Sequence, residues 1–255
     1  MNAKLLLSSC ILLAGMALGS CSSSEDVKTL SGAGNISLGV NTNAVFTRAV
    51  SMSEYEDVGN YTVQVIDDAG STVKEFLYKD APSEIKLKNG TYTLRAYYGE
   101  QTTASRDVFY VEGTKPFVVD ADQQQVTVDC YPKCAQVVAA FSADMAEFFT
   151  DYSVVYETEA LKAEGATAVW SKTDADPWFL KVNEKGENVK ATITVTRKSD
   201  NKSATVVREY SMAPGKLWTL NISPNQNDGS LGIVIEVDET TNDQEIDIVV
   251  PSDWI

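Results

Sequence analysis

From Asn35 to Val250 the chain is a succession of short runs in which apolar and polar residues alternate, separated by polar or glycine-bearing turns. A period of two marks a strand with one buried face, and closely spaced runs of this kind point to stacked sheets. Ile36, Leu38 and Val40 alternate with Ser37 and Gly39. Ala44 and Phe46 keep that parity up to Thr47-Arg48-Ala49. Tyr61–Ile66 is a strand, Asp67–Gly70 its turn and Thr72–Tyr78 the return. Ile85 and Leu87 lead into Asn89-Gly90, a pair suited to the positive φ angles of a type I′ hairpin, with Tyr92, Leu94 and Ala96 alternating beyond it. Asp107–Val111, Pro116–Val119 and Gln125–Asp129 read as three further short strands, and Cys134–Phe141 as another.

Ser142 has the character of a helix N-cap, with Asp144 in a first turn where the helix dipole favours an anion. Met145, Phe148 and Phe149 then face the core. After Asp151 the strand pattern resumes over Tyr152–Thr158, Ala168–Trp170, Trp178–Val182, Val189–Arg197, Ser203–Ser211, Leu217–Ser223, Leu231–Val237 and Glu245–Val250, with 198–202 a polar hairpin tip. The expected fold is mainly β: two tandem β-sandwich domains at 35–129 and 130–255, with one short helix in the second.

The beginning of the chain carries an address. Lys4 precedes a mostly apolar run of 14 residues, Leu5 to Leu18, and Leu18-Gly19-Ser20 lead directly to Cys21. A charged start, an apolar middle and a small-residue end make a secretory signal. The run is shorter than the ~20 residues needed to span a hydrocarbon core. The cysteine at the cleavage point resembles a bacterial lipoprotein signal, in which residues 1–20 are removed and Cys21 is lipidated. Ser22-Ser23-Ser24-Glu25-Asp26 is similar to the acidic signal that sends some Gram-negative lipoproteins to the outer face of the outer membrane. Residues 21–34, mostly small and polar, form a flexible tether.

Composition narrows the function. The 255 residues carry a formal charge of −15, which disfavours nucleic acid and anionic headgroups as partners. Histidine is absent, so Ser-His-Asp and Cys-His sites and histidine zinc centres are excluded. No nucleophile elbow, phosphate loop or ligand-spaced cluster appears, and no cofactor or metal is expected. The acidic loops at Asp67-Asp68 and Asp174–Asp176 lack the spacing of a calcium loop.

Four cysteines reduce to Cys130 and Cys134 once Cys10 leaves with the signal and Cys21 is acylated. In an extended segment these two lie ~13 Å apart, beyond the ~7 Å reach of a disulfide. A tight turn at Tyr131-Pro132 permits a bridge; buried, strand-flanking thiols are the other outcome. Of the four tryptophans, Trp170 and Trp178 flank the loop Asp174-Ala175-Asp176-Pro177, which presents them for stacking on sugar rings if they point outward. A place in the core is the alternative.

Tyr61 to Gly70, Leu87 to Gly99, Cys130 and Phe148-Phe149-Thr150-Asp151-Tyr152 together resemble a family of two-domain lipoproteins from gut anaerobes. Its first half is a transthyretin-like (prealbumin-like) sandwich, and it sits near the fimbrillin and cell-adhesion lipoproteins of the same bacteria. The resemblance covers most of 36–255 and brings no catalytic signature. It implies a non-enzymatic outer-membrane lipoprotein, adhesin-like or a fimbrial subunit, meeting other subunits or a host surface ligand. A glycan-binding accessory lipoprotein is the alternative. In the fimbrillins a first strand ends in arginine, a protease cuts after it, and a neighbour's strand fills the slot. Here Ile36–Phe46 would be that strand, Arg48 and Ala49 the cut, and Glu245–Pro251 the donor. Pro251, with no N–H for the ladder, departs from an ideal donor. An ordinary loop at Arg48, with the last strand completing the second sandwich, is the competing expectation.

Overall fold

Side-chain alternation translates directly into sheets in the computed structural model, which describes residues 32–43, 46, 53–120, 123–227, 230–239 and 244–249, with backbone alone at 227, 239 and 244–249. In the first half, β1 (Ala33–Thr42) is followed by helix α1 (Ser53–Glu56), β2 (Thr62–Asp67), β3 (Thr72–Leu77), β4 (Ile85–Lys88), β5 (Gly90–Gly99), the two-residue β6 (Ala104–Ser105), β7 (Tyr110–Val119) and β8 (Gln123–Pro132). Strands β4-β1-β8 make one layer and β3-β2-β5-β7 the other. The layers join where Tyr131 and Pro132 of β8 pair with Glu112 and Val111 of β7. Ile36, Val40, Ile85, Val126 and Val128 from the first layer and Val63, Val65, Leu94, Ala96 and Val111 from the second form a single buried cluster. This is a sandwich closed at one corner.

The second half runs β9 (Cys134–Phe141), α2 (Met145–Phe148), β10 (Phe149–Glu157), α3 (Glu159–Ala163), β11 (Ala168–Ser171), β12 (Trp178–Lys181), β13 (Glu187–Arg197), β14 (Ser203–Met212), β15 (Leu217–Asn227), β16 (Ser230–Glu239) and β17 (Gln244–Val249). A four-stranded sheet, β11-β10-β13-β14, packs on a six-stranded one, β17-β16-β15-β9-β12-β6. Val154, Tyr156, Trp170, Ile193 and Val206 meet Val137, Leu180, Leu220, Ile222, Ile233 and Ile235 between them. The fold is mainly β and built of stacked sheets, as the periodicity predicts.

The two cores share a wall. β6, from the first half, pairs with β12 at the edge of the six-stranded sheet. Phe179 of β12 is buried in the first cluster, its ring 4.9 Å from Phe109 and 5.5 Å from Phe46. The described residues form one compact unit.

Several sequence expectations are corrected. Asn89-Gly90 is not a hairpin turn: β4 pairs with β1, β5 pairs with β2 and β7, and neither residue has a positive φ. The pair links the two layers, because β4 finds its partner in a strand about 50 residues earlier rather than in the next one. The two strands expected at Asp107–Val111 and Pro116–Val119 are one, β7, which begins at Tyr110 and leaves Asp107, Val108 and Phe109 outside it; its Pro116 pairs with Thr93 of β5 and not with β8. Among the described residues three short α-helices stand where one was expected. α2 starts after Asp144, not Ser142, and has no side-chain cap bond. α3 is capped by Thr158, whose hydroxyl accepts from Leu161 N at 3.1 Å. The polar hairpin tip expected at 198–202 is present between β13 and β14, with Asn201 left-handed at φ 58°.

Candidate functional site

The loop between β11 and β12 brings Trp170 and Trp178 to one place, but not as an open platform. Trp170 is 1% exposed and packs in the second core. The expected sugar-stacking role is therefore closed to it, because both faces of its ring are occupied from within the fold. Trp178 is half-buried, and its indole N–H donates to Val169 O at 3.0 Å.

The group that stacks on the two indoles is Arg106, from the segment after β6. Its guanidinium carbon lies 4.2 Å from the Trp178 ring centroid and 5.1 Å from that of Trp170. Nη2 donates to Val169 O at 2.9 Å and to Asp174 Oδ2 at 2.6 Å, and Nη1 donates to Asp176 O. Asp174 also accepts from Ser171 N at 2.8 Å, fixing the loop from its own side. The acidic loop thus binds a guanidinium of the chain itself, and cation–π and ionic contacts combine at one latch between the two cores. Trp170, Trp178 and Asp174 were legible as a group in the sequence. Arg106, 64 residues before Trp170, was not.

Cys130 and Cys134 are free thiols, both buried. Burial pushes each up to about 12, with Asp129 and Glu112 adding to the rise at Cys130. At that value neither is a thiolate near neutral pH, so neither is a reactive nucleophile. Of the remaining expected sites, Cys21, Arg48 and Ala49 lie outside the described residues, as do Ala44, Pro251 and Trp254. Among the described residues no group of three or more Cys, Asp or Glu is placed to hold a metal ion, and no helix is long and apolar enough to cross a membrane.

On the outer face of the second layer of the first sandwich, Arg95 ties Glu112 at 2.5 Å, Gln64 at 3.0 Å and the Tyr110 hydroxyl at 2.9 Å. Tyr97 lies 4.5 Å beneath its guanidinium. These three bonds join β5 to β2 and β7, which reads as cross-strand stabilisation of a sheet face.

Comparison with known proteins places the chain in company but not in a role. No curated protein matches it. Among solved structures it is similar to a fimbrial assembly protein from Parabacteroides distasonis ATCC 8503, at 13% identity over 86% of this chain and 99% of that one, with a TM-score of 0.44. It is also similar to a "putative cell adhesion protein" from Bacteroides eggerthii DSM 20697, at 10% identity over 87% and 95% of the two chains, with a TM-score of 0.43. A third, described as "putative polysaccharide binding proteins" from Bacteroides thetaiotaomicron VPI-5482, shares 12% identity over 83% and 100%, with a TM-score of 0.44. These are distant likenesses only. Residues 32–252 match the family model described as "Domain of unknown function (DUF4493)", and the chain belongs to that family.

Proposed function

We propose that the chain is a lipid-anchored surface protein of a Gram-negative envelope, held at Cys21 and acting as a non-enzymatic, adhesin-like or fimbrial subunit module. Its two sandwiches are two domains meeting near Cys130 and Cys134, with Arg106 and Phe179 fixing one on the other.

The observation that carries the subunit reading is the register of β17. Directly opposed residues of an antiparallel ladder lie on the same face. The buried row of β16 is Ile233, Ile235 and Val237, and its partners on β17 are Val249, Asp247 and Glu245. The apolar positions Ile246 and Ile248 stand opposite Glu236 and Val234 instead. A strand evolved to complete its own core places its apolar row on the buried side, since a one-residue slip moves every position to the other face. β17 lies at the edge of its sheet, and its register does not pair Ile246 and Ile248 with the buried row of β16, which supports reading it as a strand suited to another molecule's groove.

The matching groove is the place of β1. This strand lies between β8 and β4 and buries Ile36 and Val40. Cleavage after Arg48 and release of β1 would open a slot lined by the first core. Each large side chain returned to it is worth ~1.5–3 kcal/mol, in addition to the main-chain ladder of strand addition.

Unboiled gels of the native envelope fraction test the reading. A ladder that disappears in Arg48→Ala, and equally on deletion of 245–255, is expected. A strictly monomeric protein with residues 35–48 still attached would refute the polymer and leave a solitary adhesin-like lipoprotein.

A further inference from the structure

We propose that the segment 243–252 of a second copy of this chain takes the place of β1 in one defined register, with Ile246 at the position of Ile36. The proposal rests on the subunit reading, in which cleavage after Arg48 releases β1, and it fixes how the partner fits.

The inward row of β1 reads Ile36, Leu38, Val40 and Thr42. Ile36 and Val40 are buried in the first core, and Leu38 packs against it. The Thr42 hydroxyl lies 2.7 Å from that of the buried Tyr61. At the same spacing the later segment runs Ile246, Ile248, Val250 and Ser252. Both rows give three aliphatic side chains, the third a valine, and then a hydroxyl. A shift of two residues one way sets Gln244 in the place of Ile36. The opposite shift sets Ser252 in the place of Val40. A slip of one residue turns the whole row to the outer face.

Charge picks out the same register. β1 runs antiparallel to β4, with Ala33 opposite Lys88 and Asn35 opposite Lys86, and both lysines are exposed. Neither Ala33 nor Asn35 carries a charge to meet them. In the proposed register Asp243 stands opposite Lys88 and Glu245 opposite Lys86. Directly opposed residues share a face, so each lysine gains a carboxylate.

One site resists the newcomer. Gly39 of β1 lies beside Thr127, and a Cβ there would meet Thr127 Oγ1 at 2.6 Å and Cγ2 at 3.1 Å. Val249 falls at that position, so Thr127 must turn its side chain to admit it. The chain's own strand makes no such demand, which favours it over the donor for as long as it stays attached.

Cys130 reports the register directly. It pairs with Thr42, so the proposal sets Ser252 of the second copy beside it, within the ~4.4–6.8 Å between Cα atoms that a disulfide spans. Mild copper-phenanthroline oxidation of the ladder formed by the full chain carrying Ser252→Cys should link residue 252 to Cys130 of the neighbouring copy, as read by peptide mass mapping. Val250→Cys, which falls opposite Val128, should not link to Cys130. Lys86→Glu with Lys88→Glu should lower the assembled fraction about fivefold, since two exposed pairs are lost and two repulsions created. Asp243→Lys with Glu245→Lys in that same chain should restore it, and unchanged circular dichroism of the monomer verifies the fold. Thr127→Ala, which clears the place of Val249, should speed ladder growth. A ladder in which Val250→Cys carries the link, in which neither variant links, which the lysine reversal leaves intact, or which grows more slowly in Thr127→Ala would overturn the register and leave the subunit reading in place. No ladder in the parent chain would overturn both.

Discussion

Removing the Arg106 side chain should loosen the junction between the two cores by an amount the geometry brackets. The guanidinium serves three acceptors: Val169 O, Asp174 Oδ2 and Asp176 O. Two of these keep another donor in Arg106→Ala. Trp178 Nε1 still reaches Val169 O, and Ser171 N still reaches Asp174. Only Asp176 O loses the donor the structure gives it. The loss is then roughly one charge-assisted hydrogen bond, ~1.5 kcal/mol, plus stacking on two indoles, ~0.5–1 kcal/mol for a partly exposed cation. The ion pair adds little, because its side chains are 21% and 31% exposed and solvent screens them. The sum is about 2–3 kcal/mol. For a chain of this size each kcal/mol moves the melting midpoint by ~2–4 °C, so a fall of about 4–12 °C is expected, with a changed tryptophan emission. Arg106→Lys should recover less than half, since an ammonium cannot fork to three acceptors while lying flat on an indole. Thermal and urea unfolding followed by fluorescence provide the assay. A midpoint within about 1 °C of the parent for Arg106→Ala would refute the latch.

Other outcomes follow from the same structure. Phe179→Ala empties a site between the rings of Phe46 and Phe109 and should cost ~3–5 kcal/mol by urea unfolding. Gly99→Ala should be at least as damaging, because Gly99 has φ +83° and a Cβ there would meet Phe109 O at 1.9 Å; loss of soluble protein on expression checks it. Thiol labelling with peptide mapping should find Cys130 and Cys134 unmodified in the folded protein and both labelled in urea, as fits buried free thiols. Alkaline stability follows from the raised values of Cys130, Cys134, Tyr61 and Tyr110, each about 12 in the folded state. A raised folded value means this contribution is whole below the unfolded values, near 9 for the thiols and 10 for the phenols. It should be lost as pH climbs toward 12, which a pH series of urea midpoints measures.

Legibility in the sequence followed the range of the interactions. Strands such as β13, where Val189, Ala191, Ile193 and Val195 are all buried on alternate positions, announce themselves because one face meets one core. Helices α1 and α3 did not, since four or five residues are too few to express a helical period, and the Thr158 cap was absorbed into the preceding strand. Asn89-Gly90 has hairpin chemistry, yet the pairing of β4 with β1 decides its conformation, and no local signal carries that. The alternation of Ile246 and Ile248 marks a strand without saying which face it offers. Trp170 and Trp178 were recognisable as a pair, while the residue between them comes from the other half of the chain.

The claim on which the functional account depends is the tether at Cys21. Mass spectrometry of the protein's N-terminal peptide from the membrane fraction of its host tests it most directly. The account predicts a peptide that begins at Cys21 and carries fatty acyl groups, with residues 1–20 removed. Recovery of an unmodified Cys21 within an uncleaved leader, on protein dissolved in the cytosol, would contradict it.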